Sequence, residues 1–182
     1  MNREACILFS GAAAGAEAAF GAAAERHDVD EVNFTFTGHN DARQRGLRVL
    51  TRAELQQGAV NLATVSRLMN RRYPETPLFR KVLQTIWHQV HNGEELFVVG
   101  RVQPDDTVVG GTGIAAEYAK LLHKPVHVFD QTRNVWVRWG GDSWESAKDP
   151  VITRERFTGT GTRFLEPPGR TAIDELFARS FG

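Results

Sequence analysis

The stretch Ala5-Cys6-Ile7-Leu8-Phe9-Ser10-Gly11-Ala12-Ala13-Ala14-Gly15-Ala16-Glu17 decides the fold. Five apolar residues run into a glycine-bearing turn, and strong helix formers follow over residues 15–26. The order is strand, tight turn, helix. It recurs where Leu96-Phe97-Val98-Val99-Gly100 precedes Gly110-Gly111-Thr112-Gly113-Ile114-Ala115-Ala116-Glu117. Such a turn exposes backbone N–H groups at the positive end of a helix dipole, which suits an anion such as phosphate. Two of them in one small α/β chain point to a nucleotide-like ligand in the crevice between them.

Outward from these turns, Val32-Asn33-Phe34-Thr35-Phe36 alternates as a strand and stops at Gly38-His39-Asn40. Residues 40–50, polar and arginine-rich, read as a loop. Thr51-Arg52-Ala53-Glu54 is a capping box, and Leu55, Leu62, Val65 and Met69 continue it at helical spacing to a stop before Tyr73-Pro74. A second helix runs from near Pro77 to Asn92-Gly93. Strand 95–100, helix 112–122, strand 126–129 and an edge strand over 134–139 come next. Residues 140–169 read as turn-rich, and 171–181 as a short amphipathic helix. Alternating strands and helices predict a single α/β domain over residues 1–182, Rossmann-like, with a mostly parallel twisted sheet, helices on both faces and a C-terminal β-hairpin extension. With the strands at 5–9, 32–36, 95–100 and 126–129 numbered in sequence, the expected order is 2-1-3-4. That order sets the two glycine loops side by side.

Composition narrows the function. A chain of 182 residues, 41% hydrophobic, can bury one core. Lys+Arg and Asp+Glu balance at 22 each, without the basic excess typical of nucleic-acid or membrane-surface binders. The single cysteine, Cys6, cannot form an internal disulfide and reads as a small buried hydrophobe, which fits a reducing, cytoplasmic compartment. Glu4, Glu17 and Glu25 interrupt the alanine-dense start, so it does not read as a secretory signal. No apolar run approaches the ~20 residues of a membrane helix.

Gly110-Gly111-Thr112-Gly113 followed by Glu117 resembles the G-G-x-G-T-x-x-E signature of the LOG (cytokinin-riboside 5′-monophosphate phosphoribohydrolase) family, with Ile114 in place of its Thr. Together with Ser10–Glu17, compared with S-G-G-x-x-G-A-D, it resembles the broader SLOG superfamily with its DprA, LOG and YspA-like branches; Ala12 and Glu17 depart from that pattern. Phe36-Thr37-Gly38-His39, Arg71-Arg72-Tyr73-Pro74, Val128-Phe129-Asp130 and Phe157-Thr158-Gly159-Thr160-Gly161-Thr162-Arg163 are similar to small phage and bacterial YspA-like proteins. The resemblance spans nearly the whole chain. It implies binding of a nucleotide, nucleotide-sugar or NAD-derived molecule by a sensor or by a phage or defence-system protein that sequesters a signal. It also implies a homodimer, for which the apolar residues of 51–91 offer a surface.

On this reading phosphate rests on Ser10, Gly11, Ala12, Gly15 and Glu17 of the first loop and on Gly110, Gly111, Thr112 and Gly113 of the second. Glu117 lies one turn into its helix, as a ribose acceptor or a dipole-favoured surface carboxylate. His39, after a strand at the ligand-facing end, either meets the base or ribose or stabilises its loop; Asp130 is a candidate for the crevice floor. The alternative is a LOG-like N-glycosidase acting on a nucleoside 5′-monophosphate, with Glu117 as the catalytic carboxylate. The family's Arg-Lys pair has a counterpart in Arg80-Lys81, displaced upstream by more than a turn. A DprA-like nucleic-acid module is a third reading, disfavoured by the neutral charge. The first loop lacks the Gly-Lys-Ser/Thr ending of a P-loop. The pairs His88/His91 and His123/His127 lack further ligands at metal-binding spacing, so neither a metal nor a cofactor is expected.

Overall fold

The computed structural model describes residues 2–73 and 76–182, with only the backbone of Val60 and Asn61. Strand β1 (Ile7–Ser10) is followed by α1 (Ala16–Arg26), β2 (Asp30–Thr35) and β3 (Leu47–Val49). Helices α2 (Arg52–Leu68) and α3 (Pro77–Asn92) lead to β4 (Glu95–Gly100), α4 (Thr112–Leu121) and β5 (Val126–Asp130). An antiparallel extension, β6 (Val135–Trp139) and β7 (Trp144–Ser146), precedes β8 (Arg156–Gly161) and the closing helix α5 (Pro167–Phe181). Local chemistry explains the boundaries: Thr51 and Glu54 cap α2 reciprocally, and Thr76 caps α3 with Pro77 in its first turn.

One sheet has the order β3-β2-β1-β8-β4-β5-β6-β7, parallel from β3 to β5 and antiparallel beyond. The α/β class, the mostly parallel sheet and the C-terminal hairpin are as the sequence predicts. The order 2-1-3-4 is corrected at its middle: β8 lies between β1 and β4, pairing Leu8 with Phe157 and Phe97 with Gly159. The segment read as turns therefore supplies a central strand. Its alternation is real but hidden by small residues. Phe157, Gly159 and Gly161 face α1, where a Cβ on Gly159 would press on the Phe20 ring. Thr158 and Thr160 face α3, where the Thr158 hydroxyl donates to the Gln89 carbonyl at 2.8 Å. Leu47–Val49, expected as loop, forms the short edge strand β3 beside β2.

Helices α1 and α5 cover one face, packing Phe20, Leu176 and Phe177 over Leu8, Phe97 and Phe157. Helices α2, α3 and α4 cover the other, over Leu96, Val98, Val126 and Val128. The apolar residues of 51–91 are largely spent on packing α2, α3 and α4 together; Leu68 and Leu78 stay exposed. Pro74, part of the expected helix stop, lies outside the described residues. Among the described residues no helix is long and apolar enough to cross a membrane.

Topology places the functional edge. The chain leaves β1 through α1 toward β2, and leaves β4 through α4 toward β5, so the two crossovers diverge around β8. Open α/β sheets bind ligands at the carboxyl ends of strands where the winding reverses.

Candidate functional site

Both glycine turns lie on this carboxyl edge, flanking the end of β8 rather than each other. The first is closed by its own helix. Ser10 is buried and its hydroxyl donates to the Gly159 carbonyl at 2.7 Å. Ala12 adopts φ 60° and its carbonyl accepts from the amides of Ala42 (2.9 Å) and Arg43 (3.2 Å), drawing in the loop after β2. Gly15 needs its φ of 93°, and a Cβ there would lie 2.5 Å from Arg163 Cα. This close approach lets Ala16 N–H donate to the Thr162 carbonyl at 3.0 Å.

Glu17 folds back over the turn. One carboxylate oxygen accepts from Ala13 N–H at 3.0 Å, the other from the Thr160 hydroxyl at 2.7 Å, and the residue is 7% exposed. Burial pushes its carboxyl upward; bonds from Thr160, Ala13 and Gln89, then the nearby His39, oppose the shift. Gly11 leaves the room this arrangement needs, since a Cβ there would strike the Gln89 amide and lie 2.6 Å from Glu17 Oε2. The place of an anion on the first loop is thus taken by the protein's own carboxyl group.

The second turn is more open. Gly110 takes φ 71° with nothing within 4 Å of a built Cβ, and Gly111 begins α4 with no side-chain cap. Gly113 is buried, and a Cβ there would lie 2.6 Å from Met69 Cε and strike the Val108 carbonyl. Around this turn, Arg71 is committed to structure: it donates to the Val108 carbonyl at 2.7 Å and to Gln103 and Thr107. Tyr73 O–H donates to the Gly110 carbonyl at 3.2 Å.

Glu117 faces a different neighbourhood from the one expected of a ribose acceptor. Its carboxylate accepts from Lys120 Nζ at 2.8 Å, and that ammonium lies 3.6 Å from the Trp139 ring centroid and 4.6 Å from that of Trp144. Lys120 Nζ and Trp144 Nε1 both donate to the Asp106 carbonyl, at 3.0 and 2.9 Å. The cluster staples α4 to the β6–β7 hairpin. Asp130 is buried at the end of β5, where it accepts from Thr132 N–H at 3.0 Å and Arg133 Nε at 2.5 Å and so shapes the β5–β6 turn. His39 Nδ1 lies 2.6 Å from Asp41, and the Thr35 hydroxyl donates to the same carboxylate at 2.7 Å, an arrangement that holds the loop after β2. Lys81 sits over the Phe36 ring, 5.5 Å from its centroid. Of the histidines paired in the sequence, His88 Nε2 contacts the Glu54 carbonyl at 2.8 Å, and His127 stacks on Phe97.

Between the second turn and the end of β8 opens a cleft of about 190 Å³ lined by Gly100, Arg101, Val109, Gln131, Thr162 and Phe164. Gln131 is buried and spends both amide atoms on the far wall: its N–H donates to the Phe164 carbonyl (3.2 Å) and its oxygen accepts from Glu166 N–H (2.8 Å). Arg101 closes the rim through Glu166 at 2.5 Å. Sequence reasoning passed over Arg101, Gln131 and Phe164, as well as the Gln89 and Thr160 partners of Glu17. One signal was available: Thr158-Gly159-Thr160-Gly161 alternates polar and small with the period of a strand, and a strand there delivers Thr162 and Phe164 to this edge. Compared with protein-family models, curated proteins and solved structures, the chain matches none.

Proposed function

We propose that the protein binds a nucleotide-like anion at the carboxyl edge of its sheet, as a sensor or sequestering protein, without turning it over. The observation that carries this reading is the cleft at the ends of β4, β5 and β8, set beside a glycine turn that opens α4 with no side-chain cap. The phosphate end belongs at Gly110–Gly111–Thr112, where a helix N-terminus favours negative charge, and the base end in the cleft. The first loop supports the site from beside β8 and supplies its own carboxylate. A hydrolase reading calls on Glu117, whose carboxylate is held by Lys120 in the staple to the hairpin; binding is the better supported of the two.

The test pairs a ligand panel with one variant. Nucleoside 5′-monophosphates, NAD and ADP-ribose are incubated with the protein, and products are followed by liquid chromatography–mass spectrometry beside thermal shift. Intact ligand and a raised Tm are expected; released base overturns the binding reading in favour of the hydrolase. Gly111→Asp places a carboxylate at the start of α4, as Glu17 does on the first loop, and should cut affinity at least ~10-fold, worth about 1.4 kcal/mol. Because Asp suits a helix start, the free variant should unfold within a few degrees of wild type.

A further inference from the structure

The cleft is walled on one side by a phenylalanine that the fold holds in the open. Phe164 is 70% exposed, the most exposed of the large apolar side chains among the described residues. It is fixed, not dangling. Its N–H donates to the Thr162 hydroxyl at 3.0 Å, its carbonyl accepts from buried Gln131, and the Gln131 oxygen takes the amide of Glu166 two residues on. Thr162 is itself tied to the start of α1 through Ala16 N–H. A chain pinned at this many points displays the ring at the cleft mouth at the cost of leaving a large apolar surface in water.

The surroundings specify what covers it. The Arg163 guanidinium lies over the ring, 4.7 Å from its centroid, and Arg101, paired with Glu166 two residues beyond Phe164, also lines the cleft. A volume of about 190 Å³ falls below the ~300 Å³ lower bound of pockets that engulf a whole drug-sized ligand, so it suits one planar ring with the rest of the molecule outside. We infer that Phe164, backed by Arg163, is the stacking platform for the base of the bound nucleotide, with Arg101 beside it for an anionic group that can exchange with Glu166. Stacking on an aromatic face reads the presence of a base more than its identity, because every base has a π-face. This rests on the nucleotide-binding reading above.

The experiment separates the two. Binding of the four nucleoside 5′-monophosphates and of ribose 5-phosphate is measured by calorimetry on wild type, Phe164→Ala and Phe164→Trp. Wild type should prefer nucleotides to ribose 5-phosphate. Phe164→Ala should lose about five- to a hundredfold in nucleotide affinity, leave ribose 5-phosphate unchanged and keep the wild-type Tm, while Phe164→Trp should restore the preference. Nucleotide affinity unaltered in Phe164→Ala, or an equal loss for both probes, overturns the platform while leaving nucleotide binding standing. A wild-type protein that binds none of the five overturns the functional reading and the platform with it. Wild type that self-associates, with Phe164→Ala monomeric and its nucleotide affinity intact, assigns Phe164 to contact with a second copy instead.

Discussion

Glu17 shows how one residue can change the meaning of a motif. A glycine turn before a helix is an anion site only while its N–H groups are available. Here the helix supplies its own carboxyl group, and Thr160 and Gln89 hold it away from water. Because burial raises its pKa, the folded state keeps the carboxyl proton longer than the unfolded chain does as pH rises above 4.5, the ordinary value for a free glutamate. Below that pH both folded and unfolded chains carry it protonated. As pH rises, the unfolded chain ionises first, and the associated stability is lost through the folded-state value. Thermal unfolding of wild type and Glu17→Gln from pH 4 to pH 8 should therefore show wild type losing ground to the variant as pH rises; parallel profiles would mean that the carboxyl is not perturbed. The sequence marked Glu17 as a departure at the loop but held no sign of its partners, which come from α3 and β8. Glu117 is the converse. Its place on the helix was legible, but the hairpin tryptophans that capture its neighbour Lys120 lie far along the chain.

Elements with strong local signals were the ones the sequence disclosed. β1, α1, β4, α4 and β5 follow from apolar runs, glycine turns and alanine-rich helices, and α2 from its capping box. β8 escaped because its inward face is built from glycine, which weighs against a strand until α1 is seen pressing on it. The end of α3 shows another device that only packing reveals. Lys124 Nζ, which follows α4, donates to the carbonyls of Val90 (2.6 Å), His91 (3.1 Å) and Gly93 (2.5 Å). A cation on the last carbonyls of a helix satisfies orphan acceptors and complements the dipole. Lys124→Met should cost about 2 kcal/mol, since hydrogen bonds from a charged donor are each worth roughly 1.5–3 kcal/mol and this one is only partly buried. In a domain of this size that is a fall of roughly 4–8 °C in Tm by differential scanning calorimetry. An unchanged Tm would show that water serves those carbonyls equally well.

At the scale of the molecule, β1 and β4 meet only through β8. A chain ending at residue 150 therefore retains β3-β2-β1 on one side and β4-β5-β6-β7 on the other, with two inner edges bare and α5 gone from Phe20 and Leu8. Such a truncation should show no cooperative unfolding transition by circular dichroism and should bind a dye for exposed apolar surface. A sharp transition in that fragment would mean that one half-sheet folds alone. The same keystone strand sets a timetable for synthesis. At roughly 5–20 residues per second, several seconds separate the emergence of β4 from that of β8. Throughout that interval the nascent protein carries two unsatisfied strand edges, each a template for pairing with a neighbouring chain. The burden of keeping this protein out of aggregates thus falls on whatever shelters it before β8 has been made.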